Sequence, residues 1–91
     1  MQFLARVYVT LKPTVNDPQG IAVHGGLRNL GFESVTGVRV GKFLEVALDA
    51  GSADDAEAAV QEMCRRLLAN TVIEQFRFSV EEAEDRAQPT P

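Results

Sequence analysis

Between Phe3 and Leu11 the residues Phe3, Ala5, Val7, Val9 and Leu11 fall on one parity and Arg6, Tyr8, Thr10 and Lys12 on the other. That period of two predicts a strand with one buried face. Pro13 ends it. Asp17 followed by Pro18 suits a helix start, with a carboxylate cap and proline at the first helical position. The helix is expected to run to about Leu30, with Val23, Leu27 and Leu30 spaced to face a core and Gly31 supplying a left-handed C-terminal cap. Gly25 and Gly26 inside it predict either a close backbone approach or an irregular turn.

From Val35 to Asp49 the apolar positions Val38, Val40, Leu44, Val46 and Leu48 again share one parity, interrupted by Lys42. A two-residue turn at Gly41-Lys42 would put Leu44 on the wrong face. Two arrangements survive: one long strand bent at Gly41, which is preferred, or a hairpin with a Gly41-Lys42-Phe43 loop. Ser52 and Asp55 form a capping-box variant that opens a second helix with an apolar stripe of Ala56, Val60, Met63, Cys64, Leu67 and Leu68. Glu62 and Arg66 are placed to pair on its exposed side. Asn70 ends it, and Val72, Phe76, Phe78 and Val80 alternate as a last strand, with Glu74 in the series.

The order β-α-β(-β)-α-β predicts an α+β fold: a two-layer sandwich, with an antiparallel sheet of three to four strands and two helices on one face. Leu4, Tyr8, Val35, Phe43 and Ile73 lie on the opposite parity. They would leave a partly apolar surface exposed, so a dimer or higher oligomer is expected through that face or through the bend at Gly41. With 91 residues, a single domain over 1–82 has a thin core, which strengthens the case for a partner. The segment 83–91 is acidic and proline-containing, and a disordered tail is expected there.

A net charge of −4 without clustered Lys and Arg argues against nucleic-acid binding. No apolar run is long enough to span a bilayer, and the alternating start is unlike a secretory signal, so a cytoplasmic location is expected. The single cysteine and single histidine have no zinc-site spacing. Cys64 lies in an apolar stripe and reads as a packed structural thiol. His24 has no identifiable acid or base partner. "GGLRNLG" and "VGKF" lack the lysine-hydroxyl ending of a phosphate loop, so their glycines read as turn and packing positions. Arg39 and Lys42 read as solvated or edge-protecting cations, and Asp54, Asp55 and Glu57 as complements to a helix dipole. No catalytic, cofactor-binding or metal-binding residue is assigned.

Three segments, "VYVTLKPTVNDPQGIAV", "LGFESVTGVRVGKFLEVAL" and "MCRRLLANTVIEQFRFSVEE", span nearly the whole chain. Their motifs "LKPxVxDPQG", "VRVGKxxEV" and "MCxxLLANxVIE" resemble the PurS subunit family of phosphoribosylformylglycinamidine (FGAM) synthase. Thr71 stands where proline is expected in that family, and Asn16 where leucine is common. The resemblance implies a noncatalytic assembly subunit in de novo purine biosynthesis. It would bridge the PurQ glutaminase and the PurL synthetase, which uses ATP and magnesium to convert formylglycinamide ribonucleotide to its amidine, and it would support ammonia transfer between them. The chain itself would bind no cofactor. The alternative reading is a small-molecule-binding regulatory dimer, since fold analogy does not exclude one.

Overall fold

The computed structural model describes residues 1–83. The elements run β1 (Gln2–Leu11), α1 (Pro18–Asn29), β2 (Gly41–Asp49), α2 (Ala53–Met63), a single π-helical turn (Cys64–Leu68) and β3 (Glu74–Glu82). The three strands form one antiparallel sheet in the order β2-β1-β3, with β1 central. This is the expected two-layer α+β fold with three strands. The tail expected over 83–91 lies, beyond Ala83, outside the described residues.

The parity of β1 is realised from Phe3 to Val9, where Phe3, Ala5, Val7 and Val9 are at most 2% exposed, while Leu11 at the strand's end is only partly buried. Ala56, Val60 and Cys64 of the second helical segment are completely buried, and Ala69 nearly so. Val60, Cys64 and Ala69 pack with Ala5, Val7 and Val9 as the core. Burying one such valine contributes roughly 1.5–3 kcal/mol, so this short contact carries much of the monomer's stability. α2 lies over β1 and β3. On β2 the same-face residues Leu44, Val46 and Leu48 pack against this core but are only partly buried.

Both helix starts form as the sequence predicts. The Asp17 carboxylate accepts from the Gly20 N–H at 2.9 Å with Pro18 in the first turn, and Ser52 Oγ accepts from Asp55 N–H at 3.1 Å. Gly31 has φ 98°, and the Gly31 and Phe32 N–H groups donate back to the Arg28 and Leu27 carbonyls, both at 3.0 Å. Those two bonds make a Schellman cap, which a residue with a Cβ would strain.

Four expectations are corrected. First, neither a long bent strand from Val35 nor a hairpin forms. β2 begins at Gly41, because Val40 donates its N–H to Asp17 at 2.8 Å instead of to a strand neighbour. Second, Leu67 is 83% exposed. The π turn, closed by the Ala69 N–H to Cys64 carbonyl bond at 3.0 Å, inserts one residue into the stripe, so Ala69 takes the inward place. The same shift parts Glu62 from Arg66, and among the described residues no ion pair joins them. Third, the last strand begins at Glu74, with Val72 78% exposed in the preceding turn. Asn70 shapes that turn: its side chain accepts from Val72 N–H at 3.2 Å and its carbonyl from Glu74 N–H at 2.7 Å.

The fourth correction concerns α1. Its stripe exists, but Val23 is 45% and Leu30 74% exposed, and Ile21 and Phe32 are open to solvent as well. Around Gly25 and Gly26 there is open space, and the helix passes through both without interruption. α1 is an arm standing off the sheet. The radius of gyration is accordingly 16.6 Å, where a compact chain of this length would have about 12 Å.

Candidate interface surfaces

Among the described residues, three surfaces lack a complete set of partners. The first is the sheet face turned away from α2. Its central row is Leu4, Arg6, Tyr8 and Thr10, flanked by Phe43 and Glu45 on β2 and by Gln75, Arg77 and Glu81 on β3. Tyr8 lies 5.0 Å from Phe43 between ring centroids, and the Arg77 guanidinium sits 4.2 Å over the Tyr8 ring. Arg6 hydrogen-bonds Glu81 and lies 4.0 Å from Glu45. The face is therefore amphipathic, with charges paired internally. It forms an open groove of about 390 Å³ whose lining includes Tyr8, Thr10, Phe43, Gln75 and Arg77.

Of the six residues singled out from the sequence, Tyr8 and Phe43 are brought together here, with Leu4 further along the same face. Gly41 pairs with Thr10 where β2 begins, and an ideal Cβ on it would stand 2.8 Å from Thr10 Cγ2 and nearer still to the Val9 carbonyl. Only glycine fits there. Val35 and Ile73 lie off the sheet. The Val35 carbonyl accepts from His24 Nε2 at 3.0 Å, which pins the arm's returning strand of chain to α1. Ile73 sits just before β3, its carbonyl accepting from Lys12 N–H at 2.8 Å.

The second surface is the arm itself, and the third is the half-covered side of β2. They are complementary in kind: among the described residues, a helix whose apolar stripe stands largely exposed, and an edge strand whose apolar side chains are only partly buried against the core.

A polar cluster that the sequence did not reveal joins these surfaces. Asp17 is 4% exposed, and its carboxylate accepts from both Gly20 and Val40. Those two bonds, Val40's first, hold its carboxyl below the usual carboxylate range, with Arg39 at 4.0 Å adding to the effect and burial opposing it. The Arg39 guanidinium donates to the carbonyls of Lys12 at 3.0 Å, Leu11 at 3.2 Å and Val15 at 3.4 Å. Gly20 is the other close approach, since a Cβ on it would stand 2.5 Å from Asp17 Oδ2 and nearer to the Val38 carbonyl. The signal in the sequence was indirect: Asp17 and Arg39 each stand inside one of the motifs quoted above.

Cys64 is fully buried, and burial pushes its thiol pKa up, which suppresses the reactive thiolate. Among the described residues no group of three or more His, Cys, Asp or Glu side chains is placed to hold a metal.

The sequence profile of PurS, described as phosphoribosylformylglycinamidine (FGAM) synthase, matches residues 4–82. The chain belongs to the PurS family. It is 45% identical to the PurS subunit of Synechocystis over 84 residues, covering 92% of this chain and 84% of that one. The solved structure of Bacillus subtilis PurS superposes with a TM-score of 0.77 at 46% identity, covering 88% of this chain and 99% of that one. A chain of the Thermotoga maritima PurLQS structure gives a TM-score of 0.82 at 26% identity, with coverages of 89% and 99%. Two of the PurS motifs, around Asp17 and around Arg39, meet in the polar cluster. A third, from Met63 to Glu74, supplies the π turn and the Asn70 turn. Much of what these three segments do in this chain is therefore scaffold geometry.

Proposed function

We propose that this chain is a noncatalytic assembly subunit of FGAM synthase, acting as a homodimer that joins the glutaminase to the synthetase in purine biosynthesis. Family membership over residues 4–82 and the likeness to a chain of a PurLQS complex support the assembly role. What supports the dimer is that one chain carries two unfinished surfaces, the largely exposed α1 stripe of Val23, Leu27 and Leu30 and the partly buried Leu44, Val46 and Leu48 of β2. A second copy completes both at once, and reciprocally, as a two-fold interface requires. The free edge of β2, with Gly41 and Phe43 at its start, adjoins that contact. Leu4 and Tyr8 lie on the opposite face of the sheet, outside this contact, and Val35 and Ile73 lie off the sheet, beside His24 and Lys12.

In this role the subunit holds no reactive group. ATP and magnesium belong to the synthetase, and the present chain binds neither. Its contribution to ammonia transfer is shape and water exclusion where the two active subunits meet. The location is cytoplasmic, in keeping with a described chain whose helices are all too short or too polar to cross a membrane.

The test is reconstitution. The isolated chain is expected to show no glutaminase, ATPase or ligase turnover, and to restore glutamine-dependent amidine formation when added to the other two subunits. Phe43→Asp is expected to weaken self-association in sedimentation at micromolar concentration and to reduce that restoration. Turnover by the pure chain, or full restoration by a strictly monomeric protein, would sink the reading.

A further inference from the structure

We propose that Asp17 and Arg39 form a clasp at the base of the α1 arm, and that this clasp sets the arm's posture for docking. The inference rests on the dimer reading above. The chain leaves the sheet after Leu11 and re-enters it at Gly41. At that crossing Asp17 ties the outgoing turn to the incoming segment through Gly20 and Val40. Arg39, on the incoming segment, reaches back to the carbonyls of Leu11, Lys12 and Val15 on the outgoing one. Gly20 and the Val38 carbonyl lie so close that no side chain fits between them. Both ends of the arm are therefore fixed to each other and to the end of β1.

Beyond the clasp α1 makes little contact with its own sheet, and its apolar stripe is open. Packing does not orient it, so the polar ties at its base do. A segment held in its docking posture before association avoids the ordering cost that a swinging arm would meet on binding. The two charged side chains are thus positioning residues for assembly and lie outside the core that folds the sheet. Buried polar ties of this kind are specific in geometry, because each lone pair that loses its donor is penalised.

The experiment compares wild type with Asp17→Ala, Arg39→Met and Arg39→Lys by sedimentation over a range of concentrations. Far-UV circular dichroism and hydrogen exchange of the Gly20 and Val40 amides accompany it. Arg39→Met and Asp17→Ala are expected to keep the sheet signal, lose protection at those two amides and raise the dimer dissociation constant about tenfold or more. Arg39→Lys, a point charge that cannot span three carbonyls, is expected to fall between. The Arg39 side chain is 45% exposed, so Arg39→Met decides the matter if Asp17→Ala does not fold. Dimers as tight as wild type, despite lost protection, would overturn the clasp and leave the dimer reading standing. Loss of the sheet signal in Arg39→Met would also overturn it, by making the clasp part of the fold. A wild type that stays monomeric would overturn both.

Discussion

The sheet with α2 and the α1 arm are built from the same kind of apolar periodicity, yet they reach opposite ends. In the first, every inward residue of β1 from Phe3 to Val9 is buried, with Ala5, Val7 and Val9 packed against Val60, Cys64 and Ala69. In the second, Val23 and Leu30 keep the required spacing and remain in water. What separates them is the connection. β1 and β3 are brought together through a π turn and a tight Asn70 turn that return α2 onto the sheet. α1 is joined through the Asp17–Arg39 crossing and makes little contact with its own sheet. One region is folded by its own burial. The other is tied at its base by hydrogen bonds and, on the proposed reading, is completed by a second copy.

The largest effect that separates the two regions is expected from Val7→Asp. It places an unpaired carboxylate at the completely buried centre of β1, and the several kcal/mol this costs is comparable to the whole stability of a small domain. Cooperative thermal unfolding should disappear. Retention of a sharp transition would show that β1 is not the core. A smaller effect is expected from Val23→Asp, in the middle of the arm's stripe. Leaving one such side chain out of an interface costs roughly 1.5–3 kcal/mol, on the order of 10- to 100-fold in dissociation constant. The variant should keep the sheet's circular dichroism while sedimenting as monomer at concentrations where wild type is a dimer. If Val23→Asp instead unfolds the sheet, the arm packs within its own chain and the contrast is false.

The features legible in the sequence are those decided within a few residues. Alternation from Phe3 to Val9, the Asp17 and Ser52 caps, and Gly31 as a left-handed terminus each follow from local geometry, and each forms as read. Periodicity tells that Val23, Leu27 and Leu30 share a side of a helix. It carries no label saying whose sheet that side will meet, so the arm was not foreseeable. The π turn was equally hidden, because an inserted residue leaves a stripe that still scans as helical until Leu67 proves exposed and Ala69 buried. Among the surface residues singled out, parity grouped Tyr8 with its neighbour Phe43, since both lie in regular strands. It misplaced Val35 and Ile73, which lie where strand alternation no longer applies. Asp17 read only as a cap. Its second oxygen bonds a residue 23 positions away, a distance no local pattern encodes.

The smallest predicted effect lies at the junction of the two regions and depends on pH. Asp17 holds its carboxylate below the usual range chiefly through the Val40 and Gly20 N–H donors. As pH falls, the unfolded chain, with an ordinary aspartate pKa of about 3.9, takes up its proton before the folded one does. The carboxylate's contribution is thus fully present above that value and is lost as pH falls through the lower folded one. Asp17→Asn removes the charge at every pH and sets an amide N–H₂ against one of the two donors. It should be less stable than wild type near neutrality, with the gap closing as the solution is acidified below about pH 4. Urea midpoints for both proteins, at one protein concentration so that association does not shift the balance, measure that gap directly. Other carboxylates titrate in the same window, but they are common to both proteins and cancel in the difference. A gap that stays constant with pH would mean that the junction does not rest on an ionised Asp17. The arm would then be held by the Arg39 carbonyl contacts, and the sharper effect of Arg39→Met over Asp17→Ala on dimer dissociation would have to follow.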